Sequence, residues 1–130
     1  MSMRQLFLAV AAFLLQQSSF AYAASEAYCE FDSEDFNTGQ SSSVVPFFLD
    51  LNLGENEFSS KQLVKIDGKD FVARIYGTGI ADVFTLSLEI QASEGSFFPR
   101  GAASFYADGR KYMLALVEGM NVLKFRCYAR

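Results

Sequence analysis

Five carboxylates crowd one short stretch of the chain: Glu26, Glu30, Asp32, Glu34 and Asp35. Two carboxylates that converge in a cleft, about 5–10 Å apart, serve as acid and base or nucleophile in glycoside hydrolysis. Here Glu30 and Asp32 alternate with Cys29 and Phe31. On a strand that alternation turns both acids to solvent, so the stretch reads as a solvated acidic face. Glu89, between Leu88 and Ile90, is placed the same way. The run Asp32-Ser33-Glu34-Asp35-Phe36-Asn37-Thr38-Gly39 gathers oxygen ligands. It lacks the glycine at its sixth position and the bidentate glutamate that a calcium loop requires, and no metal site is assigned to it. Ser59-Ser60-Lys61 is the nearest approach to a Ser–Lys pair, and it reads as a polar loop entering a strand. Gly77-Thr78-Gly79 is followed by no helical pattern, so it is a turn and not a phosphate loop.

What is missing constrains more. The chain has no histidine. That removes the usual general base near neutral pH, every Ser-His-Asp or Cys-His mechanism, and any imidazole-based zinc site. The two cysteines, Cys29 and Cys127, are expected to pair, which removes thiolate chemistry as well. No catalytic residue, metal or cofactor is assigned, and the chain is not expected to be an enzyme.

The pairing follows from the expected compartment. Arg4, an unbroken apolar run over residues 6–15 and Ala21-Tyr22-Ala23 have the build of an export signal with its cleavage site. The run is shorter than the roughly 20 residues a membrane helix needs. Residues 1–23 are therefore expected to be removed, leaving 24–130 as one domain, periplasmic or extracellular and bacterial, where disulfides persist. Cys29 and Cys127 lie at nearly equal distances from the ends of that domain and each sits on an apolar strand face, so the end strands are expected to meet. The exported part keeps ten Lys/Arg against fifteen Asp/Glu, a net charge of −5. That sign argues against nucleic acid and against anionic lipid.

Period-two alternation dominates after the signal. Phe84, Leu86, Leu88 and Ile90 share one face, with Thr85, Ser87, Glu89 and Gln91 on the other. Val45, Phe47, Leu49, Leu51 and Leu53 form a second apolar row, and Pro46 places that strand's start at an edge or bulge. Asp67-Gly68 and Asp108-Gly109 read as two-residue hairpin turns, and Glu118-Gly119-Met120-Asn121 as a third turn. About eight strands are predicted, near 27–32, 44–53, 61–66, 69–76, 82–92, 102–107, 110–117 and 121–128. Residues 52–60, 93–100 and 36–43 are loops. The fold class is all-β with antiparallel neighbours, as a small closed or nearly closed barrel, with a two-sheet β-sandwich as the alternative. An outer-membrane barrel is disfavoured, because most strands are shorter than the ~9–11 residues needed to cross.

Exposed aromatics are the better lead to function. Phe97 and Phe98 stand beside Pro99 and Arg100 in a predicted loop, and Tyr76, Tyr106 and Tyr128 are expected on outer faces. Aromatic and Arg clusters anchor interfaces. Phe98 is also placed to plug one end of a barrel. Residues 112–117 are apolar on both faces, so that strand is expected to be covered on both sides, by the chain or by a partner. The chemistry points to a non-catalytic binding module for a protein or envelope component. Inhibitors of basic envelope-degrading enzymes such as lysozymes have this general build, though no inhibitor loop is visible. A small-ligand carrier is the alternative, and a carboxylate hydrolase ranks lower. Oligomeric state is not legible at this stage.

Overall fold

The structure is a computed structural model and describes residues 24–130; the expected export signal, 1–23, lies outside the described residues. Eight strands follow one another: β1 (Glu26–Asp35), β2 (Val45–Asp50), β3 (Phe58–Ile66), β4 (Lys69–Gly77), β5 (Val83–Gln91), β6 (Phe97–Tyr106), β7 (Tyr112–Glu118) and β8 (Asn121–Ala129). They form two four-stranded antiparallel sheets, ordered β2-β1-β8-β7 and β3-β4-β5-β6. Among the described residues there is no helix, and so none long and apolar enough to cross a membrane.

Turn chemistry sets the tight hairpins. Asp67 (φ 51°) and Gly68 (φ 77°) both take the positive φ of a type I′ turn, joining β3 to β4 as predicted. Gly119 (φ 59°) begins the two-residue turn between β7 and β8. Asp35 closes the start of the β1–β2 connection, its Oδ1 accepting from the Asn37 amide at 2.8 Å. This is an Asx turn, and it accounts for the polar composition there without a metal. β2 is an edge strand, and Pro46 stands near its beginning where a missing N–H is tolerated.

The end strands meet. β1 and β8 pair over nine residues, from Ala27↔Ala129 to Asp35↔Asn121, with Cys29 directly opposite Cys127. The two are bonded, and their Cα atoms are 4.1 Å apart. That is slightly below the expected ~4.4–6.8 Å range and well within the ~7 Å limit for a bond.

The preference for a closed barrel is not met. No ladder joins β2 to β3 or β6 to β7, and the chain forms two sheets. At the β6/β7 seam, side chains occupy the place of a ladder. A Cβ on Gly101 would come within 3.3 Å of both Leu114 and Leu116, so β6 and β7 touch through β7's leucines and the glycine's bare backbone. At the other seam the Asp50 amide donates to Ser59 Oγ at 3.1 Å, a bond that bridges the sheets. Asp108-Gly109 is correspondingly not a two-residue hairpin. It lies in a five-residue step from one sheet to the other, and only Gly109 has positive φ. Two predicted loops shrink. Residues 58–60 begin β3, and residues 97–100 begin β6, where a register shift between Leu88 and Glu89 accommodates the Pro99 segment on an edge strand.

One core lies between the sheets. Phe31, Phe47 and Phe125 from the first sheet and Phe71, Phe84 and Phe105 from the second belong to a single buried cluster. The Phe47 and Phe125 rings stack at 5.9 Å. Aromatic rings bury large areas and dominate the energetics of so small a core. The disulfide lies within it, with both cysteines essentially inaccessible.

Candidate binding surfaces

The residues expected to form one interaction surface are spread over the molecule. Phe97 opens β6 opposite Gln91, and Tyr76 pairs with Thr85 on the outer face of the second sheet. Tyr128 lies on the outer face of the first sheet, against Tyr28 with ring centroids 5.5 Å apart. Phe98 is 52% exposed and plugs nothing. Tyr106 is exposed at the end of β6, its ring 5.8 Å from that of Tyr112.

Tyr76 and Phe97 belong to a closed network. Arg74 and Glu89 are both buried on the outer face of the second sheet. The Arg74 guanidinium lies 3.7 Å from the centre of the Phe97 ring and 4.2 Å from that of Phe58, between two aromatic faces. Its Nη1 donates to the Tyr76 hydroxyl at 3.1 Å and lies 3.6 Å from Glu89 Oε1, while the Tyr76 hydroxyl donates to Glu89 Oε2. Burial and then the Glu89 bond push the Tyr76 phenol up from its ordinary pKa. Apart from Arg74 Nε, which is buried without a hydrogen-bond partner, the polar atoms are turned toward one another, so the group holds four strands together.

Arg100 is engaged as well. It donates to Glu118 Oε2 from Nε at 3.1 Å and from Nη2 at 2.6 Å, and Lys69 reaches Glu118 Oε1 at 3.2 Å. This ion cluster ties β4 and β6 of one sheet to β7 of the other. Burial pushes the Glu118 carboxyl up, but the bonds and charges of Arg100 and Lys69 outweigh it and hold the carboxyl below its usual range. A depressed folded pKa means the contribution is complete above the unfolded carboxylate's value, about 4.3. It is lost as pH falls through the folded value. Both cations are about half exposed, so screening limits the effect. Glu118→Gln is expected to remove about 1 kcal/mol at neutral pH and to flatten the loss of stability on acidification. Urea unfolding at neutral and acid pH measures both; an unchanged acid slope would count against the cluster.

The carboxylates do not converge. Glu30 and Asp32 sit on the outer face of the first sheet, where Arg126 contacts Glu30 at 3.4 Å and Asp32 at 2.7 Å. Glu89 is on the second sheet. Among the described residues no group of three or more Asp, Glu or Cys is arranged to hold a metal ion.

Two outer-face features add to the sequence reading. One is a row across β2, β1 and β8, in which Phe48 and Tyr28 lie 5.3 Å apart and Tyr28 meets Tyr128, with Arg130 near the first two rings. The other is on β7. Its inner residues, Leu114 and Leu116, face the core, while Met113 (58% exposed), Ala115 and Val117 (60% exposed) form an apolar row that the described residues leave open. Of the cover expected on both faces of residues 112–117, by the chain or by a partner, the described residues supply that of the inner face.

Comparison with protein-family models, with curated proteins and with solved structures finds no match. Fold and surfaces together define a disulfide-linked, two-sheet antiparallel β domain.

Proposed function

We propose that this chain is an exported, non-catalytic binding module, periplasmic or extracellular in a bacterium, whose working surface is the outer face of β7. The open apolar row Met113-Ala115-Val117 carries this reading. A regular strand with apolar side chains on both faces gains nothing from the outer set in a free monomer, and exposed apolar patches mark interaction sites. The candidate acids Glu30 and Asp32 are engaged by Arg126 on one sheet and Glu89 by Arg74 and Tyr76 on the other, which favours binding over hydrolysis. Six phenylalanines crowd the space between the sheets, which favours a filled interior over a carrier's cavity.

Binding of the purified exported chain to a bacterial envelope fraction and to basic lysozymes tests the proposal. Saturable binding to either, weakened at least severalfold by Met113→Ser with Val117→Ser, is the expected result. Binding that ignores both substitutions, or no binding at all, would overturn it.

A further inference from the structure

We propose that the aromatic row of Phe48, Tyr28 and Tyr128, on the outer face of the first sheet, is a glycan site that takes an extended chain of neutral, β-linked pyranose sugars. The row crosses three strands. Phe48 of β2 is in register with Tyr28 of β1, and Tyr28 with Tyr128 of β8. The ring centroids are 5.3 and 5.5 Å apart. Phe48, on the edge strand, is 51% exposed. Lys111 extends the line, its Nζ 6.0 Å from the centre of the Tyr128 ring. Arg130 flanks the other two rings, its Cζ 6.0 Å from the centre of Tyr28 and 5.9 Å from that of Phe48.

A pyranose with equatorial substituents shows only C–H groups on its two faces and carries its hydroxyls at the rim. The negative face of an aromatic ring receives the C–H face. The rim needs donors and acceptors, because a hydroxyl taken from water without a partner costs free energy. Both kinds stand beside the row. Glu30 and Arg126 form the next outward pair on one side. On the other side Glu26 neighbours Arg130, whose amide donates to the Glu26 carbonyl at 3.0 Å. A hollow of about 20 Å³ lies among Tyr28, Glu30, Lys111, Arg126 and Tyr128. That is room for one water or one hydroxyl, lined by a carboxylate, two cations and two tyrosines.

The balance of charge argues against an ionic partner. Glu30 and Asp32 stand opposite Arg126 and Lys124 on this face, so it offers no strong field to an ion of either sign. A neutral chain of hydroxyls uses donors and acceptors alike. Ring geometry selects the form of the glycan. The Tyr28 ring is inclined 65° to Phe48 and 55° to Tyr128, so the row is stepped and not a flat platform. It suits a single chain that can twist, not the flat face of a packed polysaccharide. The site lies beside the β7 row and uses neither Met113 nor Val117, so it stands apart from the reading of that row.

Isothermal titration calorimetry of the exported chain with cellohexaose and with chitohexaose tests this. Binding to at least one is expected, and added salt should leave it unchanged because the ligand is neutral. Removing one aromatic anchor, by Phe48→Ala or Tyr128→Ala, is expected to weaken it about tenfold. Tyr128→Phe keeps the ring and should keep most of the affinity. Phe48→Ala should leave the melting temperature nearly in place, because that ring is half exposed on an edge strand. Met113→Ser with Val117→Ser should leave sugar binding unchanged, so failure of the β7 reading and failure of this one are seen separately. If neither oligosaccharide binds, or if binding ignores both alanine variants, the proposal is overturned. Lysozyme binding that Phe48→Ala weakens, with both oligosaccharides ignored, would assign the row to a protein and also overturn it.

Discussion

Arg74→Ala is expected to be among the most destabilising single substitutions outside the hydrophobic core, at about 3–5 kcal/mol. Glu89 would be left 3% exposed on a sheet face with its charge partner gone. The rings of Phe58 and Phe97 would lose the flat cation between them. Only the Tyr76 hydroxyl would remain as a donor to the carboxylate. The loss comes from stranding one charge, not from the intrinsic strength of the pair, because two buried charges give back in attraction much of what they lose in hydration. The double substitution Arg74→Met with Glu89→Leu is therefore expected to recover most of the stability. Urea unfolding of Arg74→Met, Glu89→Leu and the double variant closes a thermodynamic cycle. A double variant no better than Arg74→Ala would show that the cluster acts through packing of the rings alone.

Cys127→Ser is the second large effect, expected at about 2–5 kcal/mol with unchanged strand content. The bond joins residues 98 positions apart, and in the chain-entropy model a loop that long restricts the unfolded ensemble by about 4–5 kcal/mol. The substitution also leaves a hydroxyl in a core where Cys127 is 1% exposed, and a buried polar group without a partner is unfavourable. Eight further residue pairs hold β1 to β8, so the folded variant should keep its far-ultraviolet circular dichroism. An unchanged urea midpoint would mean that the bond adds nothing to that ladder. Lost strand signal under native conditions would mean that the bond is required to form it.

Much of this architecture is legible in the residues because its causes are local. Alternation along 84–91 depends on the pleat of a single strand. Asp67-Gly68 requires only that two residues accept positive φ. Pro46 excludes itself from a central ladder wherever it falls. The two cysteines even carry part of the tertiary register: once Cys29 faces Cys127 on antiparallel strands, Tyr28 must face Tyr128, a neighbour relation that was available in the sequence and not drawn.

Tertiary structure decided the rest. Alternation says which side chains share a face, but not which edges join, so the same eight strands are compatible with a closed barrel and with two sheets. The choice rests on contacts such as Leu114 and Leu116 against Gly101, between residues well apart in sequence. Arg74, Glu89, Tyr76, Phe58 and Phe97 come from four strands, and no local pattern marks them as one cluster. Phe97, Phe98 and Arg100 looked like a loop patch because Pro99 signals a break, yet an edge strand with a register shift can hold a proline. The open row on β7 was visible as an apolar strand, but whether its outer face is covered depends on which elements pack over it. Residue types determined the strands, the turns and the absence of histidine chemistry. Only the packing of distant strands determined which charges are neutralised and which face remains open, because burial and pairing belong to neighbours in space.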